Sequence, residues 1–265
     1  MNHAMIRLIV SFAGIAVVCL LVTPKLAQTE KTRLTKRLSE GNRSRSDLFA
    51  NIRQHADMLS TQFDMIEPRH RVAADNLAAR ISTNYQPDKP LAVIIVCTGN
   101  SRRSILGATM GNIAAAYYGL PDIRFYSGGT KPSAFNSRTV ATLKAIGVEV
   151  EATGKEAPRG SAGDPNPIYR VQWSKGLEAL EFSKHYADAK NPQKGFAAIM
   201  VCDQADAEGP LVKGASKRIS APYVDPKEYD GTASEAAKYA ERRDDIGRFM
   251  LSALKQVHHQ RLKNQ

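Results

Sequence analysis

Apolar runs along the middle of the chain alternate with segments in which apolar residues recur every three or four positions. The first run, residues 91–96, is short and rich in β-branched side chains, which is typical of a strand buried in a parallel sheet. After a polar loop, Leu106, Met110 and Ile113 fall on one face of a helix. The pattern therefore predicts a strand, a loop and a helix in succession.

Further short apolar runs predict three more strands, and helical patterning separates them. These runs are residues 123–127, 148–150 and 196–201. A capping box formed by Thr232 and Glu235 predicts the start of a long final helix. Four strands that alternate with helices predict an α/β fold with a doubly wound, four-stranded parallel sheet flanked by helices.

The part of the chain before the sheet begins with an apolar segment. Residues 5–22 carry one charge, so residues 1–27 are predicted to be a secretory signal peptide or an uncleaved membrane anchor. Residues 28–89 are predicted to be a basic linker and a helical extension. Basic residues mainly follow the apolar segment, and an uncleaved anchor would then leave the rest of the protein in the cytoplasm. We expect export or membrane attachment, with the side of the membrane left open.

The charge of the chain bears on its partners. The 265 residues include 37 Lys and Arg against 26 Asp and Glu, a net charge of +11. A basic surface attracts phosphorylated substrates, nucleic acid or anionic lipid, and charge alone does not choose among them. No nucleic-acid-binding motif is found, so we expect no nucleic-acid partner. The basic stretch of residues 28–46 would suit an anionic membrane surface.

The loop after the first strand, residues 97–104, carries the strongest chemical signal and is called the anion loop below. Cys97 ends the strand, and Arg103 and Ser104 open the helix. A loop of this kind turns backbone N–H groups inward, and the helix N-terminus adds unpaired donors, which suits a dianionic oxyanion such as phosphate or arsenate. Nearby cations and helix N-termini favour the thiolate form of a cysteine. We therefore predict that Cys97 is a nucleophile and that the planar fork of Arg103 binds two oxygens of the anion.

The alternative for Cys97 is a buried structural thiol at the end of a strand, since a cysteine and an arginine at this spacing form a weak motif alone. Gly99, Arg103 and Ser104, which follow in sequence, favour the functional interpretation. The Ser104 hydroxyl is predicted to donate a hydrogen bond to the sulfur.

The segment VCTGNSRRS, residues 96–104, resembles the phosphate loop of the low-molecular-weight protein tyrosine phosphatases and of their relatives, the thioredoxin-coupled arsenate reductases. The similarity continues in FYSGGTKPSAFNSRTVATLKAIGVEV and in VDPKEYDGT, and so covers residues 90–265. The resemblance implies a phosphomonoester hydrolase with a cysteinyl-phosphate intermediate, acting on a phosphorylated protein or a small phosphomonoester without metal or cofactor. It also implies that phosphate is bound by Thr98, Gly99, Asn100, Ser101, Arg102 and Ser104.

Ester cleavage by a thiolate needs a general acid, since an alkoxide or phenoxide leaves poorly. Asp225 resembles the acid of this family, and Pro226 would stiffen its loop. The alternative is an ordinary Asp-Pro turn. Lesser candidates for the acid are Asp203, Asp206 and Asp230.

Two other functions stay open. An arsenate reductase would use the same anion site with a relay of thiols, and the resemblance places Cys202 as its redox partner. Gly209 stands where the next cysteine of that relay is expected. A noncatalytic phosphate-binding module is the third possibility, although binding alone needs neither the thiol nor the acid.

Residues 151–195 depart from the family pattern and are called the insert below. They carry several prolines and glycines, a predicted short strand at residues 168–173 and a predicted helix near residues 177–185. The insert is expected to be either a lid over the substrate or an elaborated edge of the fold. His55 and His70, which precede the sheet, have no partner at metal-binding spacing and are predicted to be surface or packing residues.

Overall fold

The computed structural model describes residues 45, 47–86, 88–208 and 212–263. The predicted leader or anchor, almost all of the basic linker, and Gly209 lie outside these residues, so what the sequence suggests for them stays a prediction. In the part of the chain that is described, no helix is both long enough and apolar enough to cross a bilayer.

The described residues form helices and strands in the following order. The elements are α1 (Ala50–Leu59), α2 (Pro68–Asn84), β1 (Leu91–Cys97), α3 (Arg103–Tyr117), β2 (Ile123–Gly129), α4 (Ser137–Lys144), β3 (Glu149–Glu156), β4 (Pro167–Ser174), β5 (Leu177–Glu181), β6 (Phe196–Met200), α5 (Asp203–Glu208), β7 (Ala215–Ser220) and α6 (Glu235–Lys263). Two short 3₁₀ helices add Phe63–Met65 and Pro226–Tyr229.

Four strands form a parallel sheet in the order β2-β1-β6-β7. The two central strands are apolar because helices cover them, and residues 93–97 of β1 and all of β6 are buried. This arrangement confirms the predicted α/β fold with a four-stranded parallel sheet flanked by helices. The carboxyl ends of parallel strands meet at one edge of a sheet, so the end of β1 at Cys97 lies beside the end of β6.

One strand of the parallel sheet differs from the prediction. The strand expected to begin at residues 148–150 is β3, which instead pairs antiparallel with β4 in a second sheet of order β3-β4-β5. Its place is taken by β7, which the sequence analysis missed. β7 is an edge strand whose only buried side chain is Ile219, so it has no continuous apolar run to signal it. In β3 only Val150 is buried, which suits a sheet that is largely exposed on one face.

The insert supplies β4, β5 and most of β3. The predicted strand at residues 168–173 is confirmed as β4, whereas the helix predicted near residues 177–185 is wrong. Residues 177–181 form β5, in which burial alternates with a period of two. Over five residues a helical and an alternating pattern are hard to tell apart.

Helix α3 lies close against β1 and β2, and two glycines permit the approach. A Cβ atom at Gly107 would lie 2.8 Å from Ile95 Cγ2, and one at Gly111 would lie 2.5 Å from Phe125 Cδ1. Helix α6 packs on α3 and on α2. The N-terminus of α3 is therefore held over the end of β1.

The helices that precede the sheet pack against several elements of the fold. Helices α1 and α2 both pack against α6. The chain just before α1 also meets β4, because Phe49 N donates to Trp173 O at 3.2 Å and Ser174 Oγ donates to Asp47 O at 2.6 Å.

Candidate active site

The carbonyl groups of the anion loop accept hydrogen bonds from the segment that follows β2. Four of them accept hydrogen bonds from N–H groups of residues 130–136 at 2.9 to 3.3 Å: those of Cys97, Thr98, Gly99 and Ser101. Among the backbone hydrogen bonds of the described loops, turns and helix ends, none has an N–H group of residues 98–105 as its donor. The N–H and C=O of one peptide unit point in opposite directions. These N–H groups therefore face the side of the loop that is turned away from residues 130–136. Together with the N-terminus of α3 they form a set of donors suited to an oxyanion.

Asn100 holds the conformation of this loop. Its φ of 42° lies in the left-handed region, which asparagine tolerates better than most residues. The buried amide accepts a hydrogen bond from Lys184 N at Oδ1 (2.8 Å) and donates from Nδ2 to Ser104 Oγ (2.8 Å). Both polar atoms of the Asn100 side chain thus brace the loop.

The thiol of Cys97 lies at the base of the loop and is 4% exposed. Its Sγ atom is 3.1 Å from Ser104 Oγ. Since Ser104 Oγ already accepts a hydrogen bond from Asn100, its own hydrogen is free to be donated to the sulfur. A donor aimed at the sulfur stabilises the thiolate form.

The guanidinium of Arg103 bonds to the segment that follows β7. Nη1 donates to Tyr223 O at 2.7 Å, and Nη2 donates to Asp225 Oδ2 at 2.6 Å. The other carboxylate oxygen of Asp225 accepts from Lys227 N at 3.1 Å and caps the 3₁₀ helix Pro226–Tyr229. The buried Nε of Arg103 has no hydrogen-bond partner among the described residues. The structure therefore places the predicted acid in direct contact with the predicted anion-binding arginine.

The side chain of Arg102 turns away from Arg103. Its Nε donates to Tyr239 OH at 2.7 Å, and its Nη2 donates to Asp230 Oδ2 at 3.3 Å. Burial raises the pKa of Tyr239 to about 12, so its hydroxyl keeps its proton and donates to Asp230 Oδ1 at 2.8 Å. The side chain of Arg102 is therefore engaged elsewhere, and only its backbone is left for the predicted anion site.

Of the four acidic candidates, Asp225 is the one bonded to Arg103. Asp230 is bonded to Arg102 and Tyr239 as described, and Asp206 is paired with Arg218 and accepts from Ser220 Oγ. Asp203 begins α5. No group of three or more His, Cys, Asp or Glu among the described residues is arranged to hold a metal ion.

Cys202 lies next to the anion loop, at the end of β6. It is buried and is not in a disulfide, as is also true of Cys97. Its Sγ atom is 3.5 Å from Thr98 Oγ1 and accepts from Ala205 N at 3.4 Å. The predicted redox partner thus contacts the residue that follows Cys97 in the chain.

The insert contributes residues to the site that the sequence analysis did not find. Ser183 Oγ donates to Gly99 O at 2.9 Å and accepts from Ser133 N at 3.0 Å. Lys184 N bonds to Asn100, as described above, and Lys184 O accepts from Gly129 N at 2.9 Å. These contacts lie on the carbonyl side of the anion loop, so this part of the insert supports the loop from behind. A serine and a lysine in an irregular segment have no periodic pattern that would have revealed them.

His70 is a second residue whose relation to the site was missed. Its Nε2 donates to Pro222 O at 2.9 Å, and its ring stacks on Tyr223 with a centroid separation of 4.0 Å. Burial lowers the pKa of His70 below its ordinary value of 6.5. Helix α2 thereby positions the segment that carries Asp225, through a neutral imidazole.

Comparison with known proteins gives structural likenesses only. No protein-family model and no curated protein matches the chain. The chain is similar to a low molecular weight protein tyrosine phosphatase from T. tengcongensis, with 16% identity, a TM-score of 0.40 and coverage of 62% of this chain and 98% of that one. It is also similar to a low molecular weight protein tyrosine phosphatase from Bacillus subtilis, with 16% identity, a TM-score of 0.42 and coverage of 64% of this chain and 99% of that one. An arginine phosphatase from Geobacillus stearothermophilus shares 16% identity, with a TM-score of 0.40 and coverage of 66% of this chain and 98% of that one. At these identities and TM-scores the likeness carries no argument, and the chemistry proposed below rests on the contacts of the site.

Proposed function

We propose that the protein is a cysteine-dependent phosphomonoester hydrolase. The observation that supports this most directly is the meeting of three groups at one loop: the Cys97 thiol, the unpaired N–H groups beside it, and Arg103 bonded to Asp225. A site that only bound phosphate would need the N–H groups and the arginine. The thiol and the carboxylate add a nucleophile and an acid.

The reaction proceeds in two displacements. The Cys97 thiolate attacks phosphorus, which forms an S–P bond and breaks the bond to the ester oxygen, while Asp225 gives that oxygen a proton. Water then attacks the cysteinyl phosphate, transfers a proton to Asp225 and releases phosphate with the thiolate restored. The Ser104 hydroxyl, 3.1 Å from the sulfur, stabilises the thiolate in both steps.

Arg103 changes partner when the substrate binds. In the structure its Nη2 is bonded to Asp225 at 2.6 Å. A bound phosphate dianion offers two oxygens to the guanidinium fork and so competes with the carboxylate. Substrate binding therefore releases Asp225 from Arg103, so that its carboxyl group can turn to the leaving oxygen.

The substrate in this proposal is a phosphorylated protein or a small phosphomonoester. An aryl phosphate is the first substrate to test, because its leaving group tolerates imperfect proton donation. The predicted leader or anchor adds a proposal about location: residues 1–27 export the protein or attach it to a membrane. An anchor would keep the protein in the membrane fraction after an alkaline carbonate wash, and a cleaved leader would leave a shortened, extractable chain.

A second candidate is an oxyanion reductase acting on arsenate. The contact between Cys202 Sγ and Thr98 Oγ1 favours it, because it places a second thiol beside the anion loop. In that reaction the Cys97 thiolate displaces an oxygen of arsenate, which leaves as water, and forms an S–As bond. The Cys202 thiolate then attacks the Cys97 sulfur, which forms the S–S bond, breaks the S–As bond and releases arsenic reduced to arsenite. An external dithiol reduces the resulting disulfide.

The experiment compares aryl phosphate hydrolysis with dithiol-dependent arsenate reduction by the purified protein and by two matched variants. We expect Cys97→Ser to abolish hydrolysis while still binding vanadate, since an alcohol is a far weaker nucleophile than a thiolate. Cys202→Ser should keep hydrolysis. Catalytic arsenate reduction that needs both cysteines, without hydrolysis of any phosphomonoester, would instead favour the reductase.

A further inference from the structure

A large cavity lies between the β2 edge of the parallel sheet and the antiparallel sheet of the insert. Its volume is about 930 Å³, and its lining includes residues 124–126 of β2 and residues 177–181 of β5. Neither Cys97 nor Arg103 lines it. Sites for small organic molecules have volumes of about 300 to 1,000 Å³ and mostly apolar walls. Apolar and aromatic side chains dominate here as well: Phe125, Tyr126, Ile168, Trp173, Leu177 and Phe182.

Two buried polar atoms of the lining residues have no hydrogen-bond partner among the described residues. They are Trp173 Nε1, a donor, and Asn191 Oδ1, an acceptor, in residues that are 3% and 4% exposed. The orientation of the Asn191 amide is fixed, because its Nδ2 donates to Ser127 O at 2.9 Å and to Tyr186 O at 3.1 Å. Turning the amide over would set its oxygen against two carbonyl oxygens. Buried donors and acceptors are nearly always paired, so each of these atoms calls for a partner.

Eight charged residues line the cavity, and the two that are buried, Lys184 and Glu181, neutralise each other. Lys184 Nζ is 3.1 Å from Glu181 Oε2, and Ser127 Oγ donates to the same oxygen at 2.7 Å. Both members of this ion pair are buried. An added charge close to this pair would lose its hydration without gaining a free counterion. The buried part of a ligand is therefore uncharged.

We propose that this cavity binds an uncharged amphipathic organic molecule. Its apolar body lies among the aromatic and aliphatic side chains, and its polar end accepts a hydrogen bond from Trp173 Nε1 and donates one to Asn191 Oδ1. A primary carboxamide has both functions, and so does a hydroxyl group. The site is separate from the anion loop, and its existence does not depend on the proposed phosphatase activity.

Lys184 connects the cavity with the anion loop. Its side chain lines the cavity, while its backbone N donates to Asn100 Oδ1 at 2.8 Å and its backbone O accepts from Gly129 N at 2.9 Å. Asn100 in turn sets the position of Ser104 beside the thiol. A ligand that orders the cavity wall will thus also order the support of the anion loop, and we expect tighter phosphate binding when the cavity is filled.

The chain contains a single tryptophan, so Trp173 fluorescence reports directly on this cavity. The probe is 4-phenylbutanamide, and its N,N-dimethyl derivative, which lacks the N–H donor, is the matched control. We expect a saturable change in Trp173 emission with the amide and binding of the dimethyl derivative that is weaker by about tenfold or more. No saturable change, or equal affinity for the two compounds, would overturn the proposal in favour of water as the partner of both atoms.

Two variants on the same sheet test the location. Ala179→Phe fills the cavity from β5 and should abolish the fluorescence change, whereas Ala152→Phe adds the same ring at an exposed position of β3 outside the cavity and should keep it. If Ala179→Phe does not fold, the location of the site is tested instead by amide hydrogen exchange of the unmodified protein with and without 4-phenylbutanamide. The amide should then protect residues 155–191, and protection confined elsewhere would refute the site.

A final measurement tests the connection with the loop. The dissociation constant for phosphate is measured with and without saturating amide, and we expect it to fall by about threefold or more. If the amide binds but the dissociation constant for phosphate is unchanged, the connection between the cavity and the anion loop is refuted, and the cavity site itself is not. A protein that binds the amide and hydrolyses no phosphomonoester would leave the cavity site intact and contradict the proposed function.

Discussion

Arg103 Nη2 lies 2.6 Å from Asp225 Oδ2, although the two residues are 122 positions apart in the chain. The same guanidinium donates to the backbone of Tyr223. One side chain thus fixes both the carboxylate and the backbone of the segment that carries it. We therefore expect the replacement of Arg103 to disturb both the proposed anion site and the placement of Asp225.

The first prediction concerns Arg103→Lys, which keeps the charge and loses the planar fork. We expect turnover of an aryl phosphate to fall by about a hundredfold or more, because lysine presents a single point charge to the anion. Steady-state kinetics measures this loss. The matched control is Arg102→Lys, whose side chain bonds to Tyr239 and Asp230, and it should lose far less. A loss below about threefold in Arg103→Lys would show that Arg103 does not bind the anion.

The second prediction separates the general acid from a structural aspartate. Asp225→Asn keeps an oxygen for Arg103 but has no proton to give to the leaving group. Turnover of esters with poor leaving groups should fall by about 10²- to 10⁴-fold, and activated aryl esters should be affected less. A series of esters graded by leaving-group pKa makes the comparison, with Asp230→Asn as the control. Equal losses across the series would argue against Asp225 as the acid.

The third prediction concerns the support that the insert gives to the anion loop. Ser183→Ala removes the hydroxyl that donates to Gly99 O and accepts from Ser133 N. We expect the free energy of unfolding in urea to fall by about 1 kcal/mol, with a severalfold loss of turnover as the loop loosens. Thr153→Ala removes a hydroxyl of β3 that bonds to Ile168 O, and it should leave turnover unchanged. Full turnover in Ser183→Ala would mean that the loop keeps its shape without this support.

The fourth prediction is a pH dependence of stability that arises from His70. Burial lowers its pKa below 6.5 in the folded protein, so the unfolded state binds more protons once the pH falls below that value. The free energy of unfolding should therefore decrease between about pH 7 and about pH 5. His258 adds a change of the same sign, because burial also lowers its pKa.

The share that belongs to His70 is obtained by difference. His70→Phe keeps a ring to stack on Tyr223 and removes the titrating group, so its unfolding free energy should vary less with pH than that of the unmodified protein. His259→Phe alters an exposed histidine of α6 and serves as the control. An identical pH dependence in His70→Phe and the unmodified protein would show that His70 does not contribute.

The sequence by itself determined the succession of β1, the anion loop and α3. These elements are contiguous, their apolar patterns are regular, and the residues of the loop follow one another from Cys97 to Ser104. Asp225 was also found from sequence, through its resemblance to a family motif. Three of the four strands of the parallel sheet, β1, β2 and β6, followed from short apolar runs that alternate with helical segments.

Only the tertiary structure decided which strand completes the sheet and which residues support the loop. An edge strand such as β7 is half exposed, so its sequence lacks the apolar run that marks β1 and β6. The bonds from Ser183 to Gly99 and from Lys184 to Asn100 each join residues 84 positions apart. Hydrogen bonds of this kind depend on where the insert folds back in space, and a single side chain or backbone group in an irregular segment leaves no periodic trace in the sequence.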